Sequence, residues 1–151
     1  MNATGPVVIG RLQAASDAQL DQLADLLVDC VEGGASVSFM HPLPHAKARA
    51  FWAQVAADAA RGDLAKMLVH RRARRRGIGE ALLREAERVA RDEGRDLLVL
   101  DTASDDAARL HARAGRVEAG RIPGYALWPG GGRCDTTVWY RVLEASSLPM
   151  A

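Results

Sequence analysis

The sequence predicts an α/β fold in one domain over residues 1–151. Segments with helical spacing of apolar residues alternate with short apolar runs of strand type. The composition, 48 % hydrophobic and 26 % charged, is that of a folded water-facing domain long enough for a core. Finally, a glycine-containing turn stands between a predicted strand and a predicted helix, an arrangement typical of α/β ligand sites.

The elements follow in chain order. "VVIGRL" (Val7–Leu12) reads as a short strand. Ser16 resembles an N-cap, and "DAQLDQLADLLVDCVEGG" reads as a helix with Leu20, Leu23, Leu27 and Cys30 or Val31 on one face, stopped by Gly33-Gly34. "ASVSFMHPLP" is a loop, and "HAKARAFWAQVAADAARG" a second helix burying Ala48, Phe51 or Trp52, Val55 and Ala59. "LAKMLVH" (Leu64–His70) is a strand. "GEALLREAERVARDEG" is a third helix with Leu82, Ala86, Val89 and Ala90 as its stripe, supported by Glu80–Arg84 and Glu87–Arg91 pairs and ended by Gly94. "DLLVLDT" (Asp96–Thr102) has the continuous apolar centre of a buried strand. "SDDAARLHARAG" is a short fourth helix. "RVEAGRI" and "TTVWYRVL" are strands joined by a loop over Pro123–Asp135.

Charge and cysteine usage exclude several functions. The formal net charge is +1, so the broad basic excess of a nucleic-acid binder is missing. Five arginines do cluster between Arg71 and Arg76, but no aromatic residues are interleaved with them for base stacking. No apolar run reaches the ~18 residues of a membrane span, and "MNATGPVVIG" lacks the pattern of a secretory leader. Cys30 and Cys134 stand apart with no histidine or cysteine beside them. Free thiols, a cytoplasmic location and no metal site are the expectations.

The turn after Leu64–His70 carries the chemistry. The first turn of a helix presents unpaired N–H groups and the positive end of the dipole. Glycines there let a phosphate approach the backbone. "RRARRRGIGEAL" lacks the lysine and hydroxyl of a P-loop and the third glycine of a dinucleotide fingerprint.

Arg74-x-x-Gly77-x-Gly79 after a strand resembles the (Q/R)xxGx(G/A) signature of the GNAT superfamily of N-acetyltransferases. "LAKMLVHRRARRRGIGEALLREAERVARDEGRDLLVLDT" is similar to that family's central strand, cofactor loop, helix and next strand, and "ARLHARAG" to its following helix. "VEGGASVSFM" and "RIPGYALWPGG" resemble the subgroup containing the tabtoxin resistance protein. The resemblance implies a mixed central sheet flanked by helices. It implies acetyl-CoA as cosubstrate, with the backbone at Leu68 and Val69 aligning the pantetheine. Arg74, Arg75, Arg76, Gly77, Ile78, Gly79 and Glu80 would hold the pyrophosphate and 3′-phosphate.

The sequence departs from the family twice. The usual β-hairpin before the central strand is absent, so either it is deleted or the chain is interrupted near Arg61–Asp63; the interruption is the expectation, because losing a hairpin leaves a raw sheet edge. His111 stands where the family has a tyrosine read as the acid for the departing thiolate. Histidine can donate a proton, and it can equally be a core residue, since Ala107 and Ala114 share its helix face.

Acetyl transfer to an amine requires removal of a proton from the ammonium. Asp63, opening the central strand, and Asp101, ending the next, are the candidate bases; each can equally be a strand-end or capping aspartate. Phe39, Trp52 and Tyr125 are candidate walls of an acceptor pocket, Trp52 with a core alternative. The expected function is transfer of acetyl from acetyl-CoA to a small-molecule primary amine, of the antibiotic or toxin resistance type. A protein N-acetyltransferase and a catalytically impaired acetyl-CoA-binding module are the alternatives. No nucleic-acid or membrane partner is expected, and a homodimer is left open.

Overall fold

The computed structural model describes residues 7–12, 14–59 and 66–143. It consists of a helical pair and a helix-backed antiparallel sheet.

The helical pair is α1 (Asp17–Glu32) and α2 (His45–Ala59). Ser16 caps α1 as its sequence predicts. Its hydroxyl accepts from Gln19 N at 3.3 Å, while Gln19 Oε1 accepts from Ser16 N at 2.9 Å, so two orphan donors are satisfied reciprocally. Leu20, Ala24, Leu27 and Val31 of α1 pack with Leu43, Ala48 and Trp52 in the main apolar core. Arg49 of α2 reaches back to Asp21 of α1 at 2.8 Å.

Two expected strands do not form. Val7–Leu12 is irregular, held to the rest by Arg11 on Glu93 at 2.6 Å. Residues 66–70, the described part of Leu64–His70, are also irregular, and Lys66 takes φ 53°. A strand exists only with a ladder partner, and no described residue pairs with either segment. Residues 66–70 instead lie on the helical pair: Leu68 packs on the apolar core, and Cys30 Sγ meets Val69 O at 3.8 Å. The interruption expected between Ala60 and Leu64 lies outside the described residues.

The second layer holds α3 (Ile78–Asp92), β1 (Leu97–Thr102), α4 (Asp105–Arg113), β2 (Val117–Leu127) and β3 (Arg133–Val142). The sheet order is β1-β3-β2, antiparallel throughout. The expected mixed sheet is therefore an antiparallel one among the described residues, because its parallel member would have been the central strand. The loop expected over Pro123–Asp135 shrinks to the turn at 128–132, since β2 and β3 run longer than predicted. Register shifts between Glu118 and Gly120 and between Ile122 and Ala126 absorb Gly120, Pro123 and Gly124, which read as loop residues in the sequence.

One face of the sheet carries Leu100, Thr102, Thr137, Trp139 and Arg141. α4 packs there, with the rings of His111 and Trp139 6.4 Å apart. The other face carries Leu97, Val99, Asp101, Val138, Tyr140 and Val142, joined by Val117 and Ile122 of β2 through the cross-strand register. β1 was expected to be buried, yet Leu97 is 49 % and Val99 63 % exposed. A continuous apolar run does not say how many of its faces are covered.

α3 buries Leu83, Glu87 and Ala90, about one position round from the predicted stripe. The reason is a charge inside the sheet–helix interface. Glu87 meets Arg116 at 3.1 Å and Arg141 at 3.4 Å, with the Arg116 side chain 2 % exposed.

Candidate active site

The arginine turn begins as a short 3₁₀ segment, Arg71–Ala73. Arg71 is committed to the fold: its Nε and backbone N donate to Asp29 at 2.7 and 2.9 Å. Burial pushes Asp29 up, but these bonds from Arg71 and the charge of His70 outweigh it and hold the carboxyl below its ordinary range. Arg74 Nε donates to Val69 O at 3.3 Å. Arg75 adopts φ 60°, a strained setting for a residue with a side chain. Gly77 follows at φ 74° as the N-cap of α3, with no atom near the place a Cβ would take.

Because glycine has no side chain to cap the helix, the first amides of α3, at Ile78, Gly79 and Glu80, keep no side-chain acceptor. Glu80 itself turns to Arg84. Arg109 pulls Asp106 at the start of α4 below its ordinary range, and the charges of Arg75 and Arg74 add to this. The arginine turn therefore stands beside α4. Gly79 serves the same junction: a Cβ on it would stand 3.0 Å from Leu110 Cδ2 of α4. The sequence suggested that Gly79 leaves room for phosphate; its contacts show that it leaves room for α4. The open helix start, the open space at Gly77 and the surrounding guanidinium groups fit the phosphates of a cosubstrate such as acetyl-CoA.

Two concavities flank the sheet. One, of about 310 Å³, lies at the α4 end and is lined by Ser104, Asp105, Arg121, Arg133, Cys134 and Asp135 among others. The second, of about 280 Å³, opens on the opposite face, between Val99, Asp101, Ile122, Tyr125, Thr136 and Val138. Asp101 and Tyr125, named separately from the sequence, thus share one cavity. The long register shift between Ile122 and Ala126 puts Tyr125 there, 65 % exposed. The loop between α1 and α2 docks against the β2–β3 turn nearby: Ser36 Oγ donates to Leu127 O at 2.8 Å, and His41 N to Pro129 O at 2.9 Å.

Other sequence candidates fall elsewhere. Trp52 is 7 % exposed inside the helical core, and Phe39 packs on that core with its ring 5.1 Å from Phe51. Both are corrected from pocket wall to packing residue; on a helix face rich in alanine, Phe51, Trp52 and Val55 supply the bulk, and Phe39 packs on them from the preceding loop. Asp63 lies outside the described residues. His111 is 4 % exposed, and its Nδ1 has no hydrogen-bond partner among the described residues. Burial and the charge of Arg116 push its pKa down to about 4. An imidazole kept neutral in this way is a poor proton donor near neutral pH.

Sequence reasoning missed the Glu87–Arg116–Arg141 cluster and the buried Thr136 hydroxyl, which has no partner among the described residues. The signal for the first was Arg116 itself, a charge directly before a strand and after a helix-ending glycine. Nothing marked the second.

An open helix start beside an arginine turn, and a separate carboxylate-bearing cavity on the sheet face opposite α4, are parts that a group-transfer enzyme with a phosphorylated cosubstrate would use. The model of the acetyltransferase (GNAT) family matches residues 21–115, and the chain belongs to that family. Its activity is acetyl-CoA-dependent N-acetyl transfer. Solved structures share the fold. A ribosomal-protein-alanine N-acetyltransferase from Brucella melitensis is 20 % identical with a TM-score of 0.69, covering 86 % of this chain and 98 % of its own. A putative acetyltransferase from Acinetobacter baylyi ADP1 is 13 % identical with a TM-score of 0.71, covering 91 % and 93 %. A putative acetyltransferase from Salmonella typhimurium, solved with its cofactor acetyl-CoA, is 18 % identical with a TM-score of 0.69, covering 91 % and 96 %. Among the described residues no helix is long and apolar enough to cross a membrane.

Proposed function

We propose that this protein acetylates the primary amine of a small molecule, with the acceptor at Asp101 and the cosubstrate phosphates at the start of α3. The observation that carries this is the meeting of Asp101 and Tyr125 in one cavity, on the sheet face that α4 leaves open. When bound, acetyl-CoA supplies an acetyl thioester whose carbonyl carbon accepts the amine nitrogen with release of the CoA thiolate. The amides of Ile78, Gly79 and Glu80, with Arg74, Arg75 and Arg76 around them, neutralise and orient its phosphates. Leu68 and Val69, next to the turn, border the pantetheine arm. Asp101 takes the proton that the ammonium must lose before its nitrogen can attack.

His111 is assigned to packing rather than proton transfer, so the thiolate is protonated by solvent. Asp63 stands as a second base. The resemblance to the tabtoxin resistance type supports a small amine as acceptor and a cytoplasmic, detoxifying role.

The test is CoA release, read with a thiol reagent, over a panel of small amines and N-terminal peptides. A positioned base contributes ~10²–10⁴-fold, so Asp101→Asn is expected to lower the limiting rate by that order at neutral pH. The loss shrinks as pH rises and free amine accumulates. Full activity of Asp101→Asn across pH, with Asp63→Asn impaired, would move the base to Asp63. Turnover of peptides alone would move the acceptor to protein N-termini.

A further inference from the structure

We infer that the acceptor is a primary amine on an apolar body, with no carboxylate on the carbon that bears the nitrogen. This inference rests on the proposed acetyl-transfer reading of the Asp101 cavity and names the substrate class for it.

The cavity's walls carry the argument. Val99, Ile122, Tyr125, Thr136 and Val138 surround Asp101, the one charged residue among the described residues that line it. Val99, Ile122 and Tyr125 are each substantially exposed, so the walls present apolar surface that no element of the described chain covers. An apolar body seated there removes that surface from water, while Asp101 pairs with the ammonium. The guanidinium groups of Arg121 and Arg133 line the other concavity. Arg121 pairs with Thr137 in the ladder and Ile122 with Thr136, so successive side chains put Arg121 and Ile122 on opposite faces of the sheet.

An α-amino acid brought to Asp101 by its ammonium therefore places its carboxylate close to a second carboxylate, with no cation on the wall among the described residues. That is repulsion and an unpaired anion together, the kind of misfit that separates related ligands. A diamine fares poorly for a different reason, since the wall offers its second ammonium the neutral hydroxyls of Tyr125 and Thr136 among valine and isoleucine, and no second carboxylate among the described residues.

The experiment measures kcat/KM for CoA release, at saturating acetyl-CoA, with phenethylamine, phenylalanine, phenylalanine methyl ester and putrescine. Phenethylamine is expected to exceed phenylalanine by ~tenfold or more, about 1.4 kcal/mol. The methyl ester, with its carboxylate masked, recovers most of that difference, and putrescine is poor. Val99→Arg places a cation on the cavity wall at a position 63 % exposed, where the fold tolerates it. This variant is expected to raise phenylalanine relative to phenethylamine.

Equal or better use of phenylalanine or putrescine by the unaltered protein would overturn the inference and leave acetyl transfer intact. So would a Val99→Arg protein whose preference is unchanged. Thermal protection by the same four amines in the presence of CoA gives a readout free of turnover. Selective protection by phenethylamine without CoA release would sustain the apolar-amine site and refute the transfer reading; no selectivity in either readout would refute the inference.

Discussion

At Gly79 and Gly77 the same residue type answers two different needs. Gly77 takes a left-handed φ of 74° in open space, so its demand is conformational. A Cβ on Gly79 would stand 3.0 Å from Leu110 Cδ2, so its demand is close approach of α3 and α4. His111 shows a similar gap between residue type and role. Its folded pKa of about 4 lies below the unfolded value of 6.5. The unfolded chain therefore binds more protons between those limits, and stability rises with pH across that window. The stability that keeping His111 neutral contributes is complete above 6.5 and is lost as the solution is acidified toward about 4. Urea unfolding of the unaltered protein from neutral pH down to pH ~4 should show this decline. His111→Leu should flatten the part of it due to the imidazole. An equal acid dependence in the variant would place the proton uptake elsewhere.

Among the elements, α3 depends most on a buried charge. Glu87 is 7 % exposed and faces Arg116, itself 6 % exposed. Burial pulls the Arg116 pKa down while the Glu87 charge opposes that. Removing the carboxylate charge leaves buried guanidinium unpaired, a change that typically costs ~3–5 kcal/mol. Glu87→Gln is expected to lose stability on that scale in denaturant unfolding. A double change to Glu87→Leu and Arg116→Met should recover much of it, because both charges leave together. A Glu87→Gln protein within ~0.5 kcal/mol of the original, the range of a neutral surface change, would mean that the pair is not coupled.

What the sequence made legible follows from the range of each signal. α1 was readable because its cap, stripe and stop are all local: Ser16, Leu20 to Val31, Gly33. β2 and β3 were read too short because Pro123 and Gly124 usually interrupt strands, while here a register shift carries them. Residues 66–70 read as a strand because their composition suits one, yet strand formation depends on a partner elsewhere in the chain. The glycine-started α3 after the arginine turn was legible for the same local reason as α1. The shared cavity of Asp101 and Tyr125 was not, because it depends on the β1–β3–β2 register.

On the scale of the whole molecule, the helical pair and the helix-backed sheet meet where the α1–α2 loop joins the β2–β3 turn and where residues 66–71 lie on α1. The arginine turn grows out of that second junction. Arg71 anchors it to Asp29, which leaves the turn poised at the start of α3. The central claim is that this turn holds acetyl-CoA by its phosphates. A ligand that binds only the folded state at 100 times its Kd stabilises that state by about 2.7 kcal/mol. The most direct measurement compares the thermal unfolding midpoint with acetyl-CoA and with S-acetylpantetheine, which has the same thioester and no phosphate. The account predicts a clear upward shift with acetyl-CoA, weakened by salt, and little or none with S-acetylpantetheine at the same concentration. Equal shifts with both, or none with acetyl-CoA, would contradict it.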